Sequence, residues 1–180
     1  MPNVFVLCTG RCGSATFAHA CDHATNYTTG HETRAHVVGP DRLDYPANHI
    51  EVDNRLAWFL GRLDRAYGDS AYYVHLTRDP ESVAQSLSIR TGMCSLVNAY
   101  ARGIAIRGDA GDPLATARDL VSTMTANIET FLRGKLNVLR FPMESADDLF
   151  PHFWQWIGAE GDIASARAEW SVAHNHSIGV

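Results

Sequence analysis

No apolar run in this chain approaches the roughly 18–20 residues that a membrane-spanning helix requires, so no such helix is expected. The opening Val4-Phe5-Val6-Leu7 is too short for a secretory signal and runs directly into a glycine loop, which predicts a cytoplasmic protein. Cysteine is scarce, and Cys8, Cys12, Cys21 and Cys94 have neither disulfide nor zinc-finger spacing. Free, mostly buried thiols in a reducing compartment are the expectation. A basic excess is also missing: 15 Lys and Arg against 20 Asp and Glu give a net charge of −5. That balance argues against a nucleic-acid surface, and it means any anionic ligand must be held by a local cluster of donors.

Several chemical signatures are absent too. A nucleotide-triphosphatase loop, G-x-x-x-x-G-K-[ST], would need glycine at Cys8 and lysine at Ser14. Gly10 and Gly13 do not make the dinucleotide pattern G-x-G-x-x-G. A thiol phosphatase would place an arginine six positions after its cysteine, where Cys8 meets Ser14 and Cys12 meets Ala18. His31 to His36 is one residue too long for H-E-x-x-H, and His19 and His23 share a helical face with no third ligand in view. No metal is expected.

What remains is an ordinary globular composition, 46% hydrophobic and 19% charged, over 180 residues that fit a single domain. No internal repeat, low-complexity segment or linker interrupts it. Asn3–Leu7 reads as a buried strand, Ser14 to about Asp22 as a helix, and Asn26–Thr28 as a second short strand with Gly30-His31-Glu32 at its end. Thr33–Asn48, with Gly39, Pro40 and Pro46, reads as a long loop. From Val52, apolar residues recur at helical spacing through Tyr67, and Gly68 ends the run.

Ala71–Leu76 is a buried strand, closed by Thr77-Arg78-Asp79-Pro80 and followed by a helix over Glu81–Arg90. Two further helices, near Ser95–Arg107 and Pro113–Arg133, precede a strand at Leu136–Phe141 and a helix striped by Leu149, Phe150, Phe153, Trp154 and Ile157. Trp58, Trp154, Trp156 and Trp170 read as core or acceptor-pocket aromatics. Alternating strands and helices predict an α/β three-layer sandwich with a central parallel sheet, P-loop-like in its first unit.

Ligands in such sheets bind at the carboxyl ends of the strands, where Gly10–Thr16, Gly30–Glu32 and Thr77–Asp79 all fall. The first cluster is a strand–glycine loop–helix unit, which aims backbone N–H groups and a helix N-terminus at one point and so suits phosphate or sulfate. Gly13 permits close approach, Ser14 and Thr16 add hydroxyls, and Arg11 adds a fixed charge. Arg78 and Ser86, eight residues apart, lie about 12 Å from each other along a helix. An anion bridges them if Arg78 folds back. A tight structural turn at the first cluster, and an Arg78–Asp79 pair at the second, are the plainer alternatives.

Together these clusters resemble the family of sulfotransferases that use 3′-phosphoadenosine 5′-phosphosulfate (PAPS). Arg11-Cys12-Gly13-Ser14-Ala15-Thr16 resembles the family's 5′-phosphosulfate loop, and Arg78-Asp79-Pro80 with Ser86 resembles its 3′-phosphate motif. The likeness spans roughly residues 3–90. It departs at Ala15, where a second hydroxyl residue is usual, and in lacking a C-terminal G-x-x-G-x-x-K segment. The resemblance implies transfer of a sulfuryl group from PAPS to a hydroxyl or amine of a small-molecule or carbohydrate acceptor, with PAP released. Arg11 would be the loop cation, and Glu32, or next His31, the general base. The two side chains are expected to point in different directions. His174-Asn175-His176 is a polar tail or a substitute lid. A P-loop kinase-like phosphotransferase and a non-catalytic nucleotide-binding module remain alternatives.

Overall fold

Val4-Phe5-Val6-Leu7 is apolar on both faces, as a strand must be when helices cover a parallel sheet on both sides. In the computed structural model, which describes residues 1–90, 95–107, 111–172 and 174, this run is β1 and all four residues are fully buried. Four parallel strands join it: β2 (Thr28–His31), β3 (His49–Val52), β4 (Tyr72–Thr77) and β5 (Val138–Pro142), in the order β2-β3-β1-β4-β5. Val4 is in register with Ile50 on one side and Tyr72 on the other.

Side chains of β1 alternate between two cores. Val4 and Val6 join Phe17, Phe141, Phe150 and Phe153 beneath α1 (Ser14–Cys21), α6 (Ala146–Trp156) and α7 (Ile163–Ala168). Phe5 and Leu7 face Leu63, Val83, Leu87, Leu120 and Met124 from α2 (Leu60–Tyr67), α3 (Pro80–Ser88) and α5 (Pro113–Leu132). The short α4 (Leu96–Ala99) continues into a π-helical turn at Tyr100–Ile104 on that same side. The result is an α/β three-layer sandwich. No helix among the described residues is long and apolar enough to cross a membrane.

The strand at His49–Val52 departs from the sequence reading, which begins a helix at Val52. A polar-looking HIEV segment is buried along its whole length because its polar groups satisfy one another. His49 Nε2 lies 2.9 Å from Glu51 Oε2, and Glu51 also accepts from the Thr33 amide at 2.8 Å and its hydroxyl at 2.6 Å. The helical periodicity is real but starts later: Asp53 caps a 3₁₀ turn at Asn54–Trp58 through the Arg55 amide, and α2 begins at Leu60. The second strand lies at Thr28–His31 rather than Asn26–Thr28, and α7 has no counterpart in the sequence reading.

The topology selects one crevice. The chain leaves β1 through α1 toward β2 on one side, and leaves β4 through α3 toward β5 on the other. Adjacent strands whose connections depart in opposite directions open a crevice at their carboxyl ends. Here it lies between β1 and β4, with Arg11 and Arg78 at its margins.

Candidate anion-binding site

After β1 the chain turns sharply, with Gly10 at φ 81°, Arg11 at φ 57° and Gly13 at φ 85°. Glycine adopts these left-handed values without penalty, whereas Arg11 carries backbone strain of the kind that clusters at functional loops. Space is tight as well. A Cβ on Gly13 would come 2.9 Å from Met143 Sδ, and one on Gly10 would come 3.1 Å from Asn54 Nδ2. Helix α1 then begins at Ser14 without a side-chain cap, so its first amides face the loop as a ready anion site.

The two sequence clusters come together, by a different route from the one expected. Ser86 is held by Arg11, whose Nε donates to Ser86 Oγ at 2.9 Å. Arg78 Nη1 donates to the Arg11 carbonyl at 3.2 Å, and Arg78 and Ser86 line one cavity without bonding each other. Nor does Asp79 take Arg78 as its main partner. Its carboxylate caps α3 through the Ser82 amide at 2.7 Å, and these Ser82 contacts hold it below the usual carboxylate range.

Around this knot lies a cavity of about 550 Å³, within the range of small-molecule sites. Arg11, Gly13, Ser14, Ala15 and Thr16 form one wall, and Arg78, Ser82 and Ser86 another. Glu144 and Asp147 supply an acidic rim, and Trp170 and His174 close the remaining side. Cys12 lies in the loop but is fully buried in the core beneath it, so its part is packing. Burial, and then the guanidinium groups of Arg90 and Arg78, push Arg11 down from its ordinary value. Positive charge is thus concentrated at one point of a net-negative protein, and a bound anion relieves that repulsion.

The third cluster divides. His31 Nε2 lies 3.1 Å from Ser14 Oγ, and Ser14, though not His31, lines the cavity. Glu32, at φ 54°, turns the other way: Asn54 Nδ2 donates to its Oε1 at 2.8 Å and Arg55 pairs with its Oε2. Glu32 does not line the cavity. Arg90, Asn54 and Arg55 have no motif to announce them, and only the fold brings Arg90 within reach of the Arg11 charge and Asn54 and Arg55 onto Glu32.

The tail reading is met at one residue. His174 lines the cavity and bonds Glu169 Oε2 at 2.8 Å, while Glu169 Oε1 lies 3.1 Å from His23. Asn175 and His176 lie outside the described residues, as does Cys94. Cys8, Cys12 and Cys21 are free and buried. A contact with Cys12 together with burial pushes Cys8 well up, and burial does the same to Cys21, so neither is a ready nucleophile. The chain matches no family model and no curated protein.

Proposed function

We propose that the chain is a PAPS-dependent sulfotransferase, with the β1–α1 loop acting as a P-loop-like cradle for the 5′-phosphosulfate and Arg78 with Ser86 gripping the 3′-phosphate. The observation that carries this reading is the Arg11–Ser86 hydrogen bond, which unites both motifs in one crevice. In the transfer, an acceptor oxygen bonds to sulfur while the bond from sulfur to the 5′-phosphate oxygen breaks. The electron pair leaves on PAP, and the acceptor proton passes to a protein base. Catalysis of this kind rests on positioning and charge stabilisation, which the fixed charges of Arg11 and Arg78 supply.

A magnesium-dependent phosphotransferase is less well supported. Asp53, at the carboxyl end of β3, has Oδ2 on Arg42 at 2.5 Å and Oδ1 on the Arg55 amide at 2.7 Å. The engagement of Glu32 by Arg55 and Asn54 favours a second reading, a binding module without turnover.

Differential scanning fluorimetry separates the nucleotides. PAP at 100-fold above its Kd stabilises the fold by about 2.7 kcal/mol, and ADP by clearly less. Equal stabilisation removes the 3′-phosphate assignment. Transfer from labelled PAPS to a panel of hydroxyl acceptors then separates enzyme from module.

A further inference from the structure

A second cavity, of about 260 Å³, lies between α1 and the end of β2. Ala15 borders both cavities. Two other contacts cross the same ridge. His31 lines the second cavity while its Nε2 meets Ser14 Oγ, which lines the first. His19 lines the second while its ring lies 4.5 Å from that of His174, which lines the first. Ala15 therefore borders both cavities, with the His31–Ser14 and His19–His174 contacts on the same ridge.

The second cavity's walls define what fits. Thr29 and Thr33 come from the β2 side, and the Thr29 hydroxyl is buried without a partner among the described residues. Among the described residues Asp22, 3.5 Å from His19, brings the cavity's only carboxylate, and no lysine or arginine lines it. Its apolar surface comes from small groups, alanine and threonine methyls among them, and among the described residues no phenyl or indole face is offered to an aromatic ring. The volume falls just below the roughly 300–1,000 Å³ of drug-sized sites, which sets the occupant at monosaccharide size.

We propose that this second cavity is the acceptor site, and that it takes a small polyhydroxylated molecule, neutral or cationic, of monosaccharide size. The inference rests on the sulfotransferase reading. The hydroxyl to be sulfated passes Ala15 to meet the donor in the first cavity, and its proton passes to His31. The departure from the family loop at Ala15 then has a use: a larger side chain there narrows the passage.

Saturation-transfer NMR on the full chain, with and without PAP, tests this with glucosamine, glucose and glucuronate. Glucosamine and glucose are expected to receive saturation, glucosamine more strongly, and glucuronate least. Asp22→Asn erases the preference for glucosamine, a change of about two- to fivefold, the range an exposed charge pair supports. Ala18→Leu fills the cavity and abolishes the sugar signal with stabilisation by PAP unchanged. Should that variant fail to fold, His19→Trp, at a half-exposed position, fills the cavity from outside. Absence of saturation for all three sugars, or equal saturation in the filled variants, overturns the acceptor site. Loss of PAP stabilisation with sugar binding intact overturns the sulfotransferase reading instead.

Discussion

Arg11 and Ser86, 75 residues apart in sequence, meet through a single 2.9 Å hydrogen bond, and Arg78 closes on the carbonyl of that same Arg11. The loop after β1 and the helix after β4 are therefore one unit. An anion that engages either also feels the other.

The two α3-side residues should separate by magnitude in calorimetric titration. Arg78→Ala removes a charged donor, worth about 1.5–3 kcal/mol, and should weaken PAP by roughly ten- to a hundredfold with ADP little changed. Ser86→Ala removes a neutral hydroxyl, worth about 0.5–1.5 kcal/mol, and should weaken PAP less. If Arg78→Ala weakens PAP and ADP alike, its contact with the Arg11 carbonyl is its whole role, and the 3′-phosphate assignment falls.

Gly13→Ala should be costly for two separate reasons. The backbone is left-handed at φ 85°, and the added methyl meets Met143 Sδ at 2.9 Å. The loss should exceed the roughly 1 kcal/mol of an ordinary glycine substitution, and nucleotide binding should fall with it. A variant with wild-type Tm and wild-type PAP affinity would show that the loop tolerates a different shape.

Much of this site is legible in the sequence because its parts are local. Glycine spacing gives the first loop, and Asp79-Pro80 gives the start of α3, where the observed cap agrees. What is not legible is pairing at a distance. His49 and Glu51 look like a solvated segment until Thr33 is placed beside them, and so β3 is missed. Ser86 looks like a partner for Arg78 because both lie on one helix unit, yet the crevice geometry gives it to Arg11. The separate orientations of His31 and Glu32 are foreseeable from their adjacency; that Asn54 and Arg55 engage Glu32 while His31 lines the smaller cavity is not.

Beneath the loop, Arg42 and Asp53 form an ion pair that is 1% and 0% exposed, at 2.5 Å. Arg42 also donates to the Tyr45 hydroxyl at 2.9 Å, and Asp53 holds the Arg55 amide, so the pair fixes the segment that grips Glu32. Arg42→Ala leaves a buried carboxylate uncompensated and should cost about 3–5 kcal/mol in chemical denaturation. Replacing both partners with apolar residues of similar volume should cost much less, because the desolvation of two charges disappears with them. Equal losses in the two variants would make packing, not charge, the reason for the pair.

Glu169 ties the last described segment to the turn that follows α1. Its bonds from His23, and next from His174, hold its carboxyl below the ordinary glutamate value of 4.5. Because the folded value lies below the unfolded one, its contribution is complete above that range and is lost as the pH falls through the lowered value. The protection factors for hydrogen exchange at residues 163–172, taken against the intrinsic rate at each pH, should therefore fall below pH 4.5 in the native protein, and at neutral pH in Glu169→Gln. Unchanged exchange in Glu169→Gln would assign the docking of this segment to Trp170 alone, which stacks on Phe141 with centroids 5.5 Å apart.

The identity of the base is the sharpest remaining test, and on the sulfotransferase reading we propose the reverse of the order that the sequence suggests. Glu32 is bound on both oxygens, by Asn54 and by Arg55, and lines neither cavity. His31 touches Ser14 at the ridge between the two cavities, where an acceptor hydroxyl would meet the donor. His31→Ala should therefore cut kcat by about 10²–10⁴, with PAP affinity retained, because the base touches the acceptor and not the nucleotide. Glu32→Gln should lower Tm through the lost ion pair and leave kcat within about threefold, since an isosteric change away from the reacting atoms removes no proton acceptor they use. A large kcat loss in Glu32→Gln with an active His31→Ala restores Glu32 as the base. If both variants stay active, the remaining imidazoles at the ridge, His19 and His174, become the candidates, whereas His49 is already buried against Glu51.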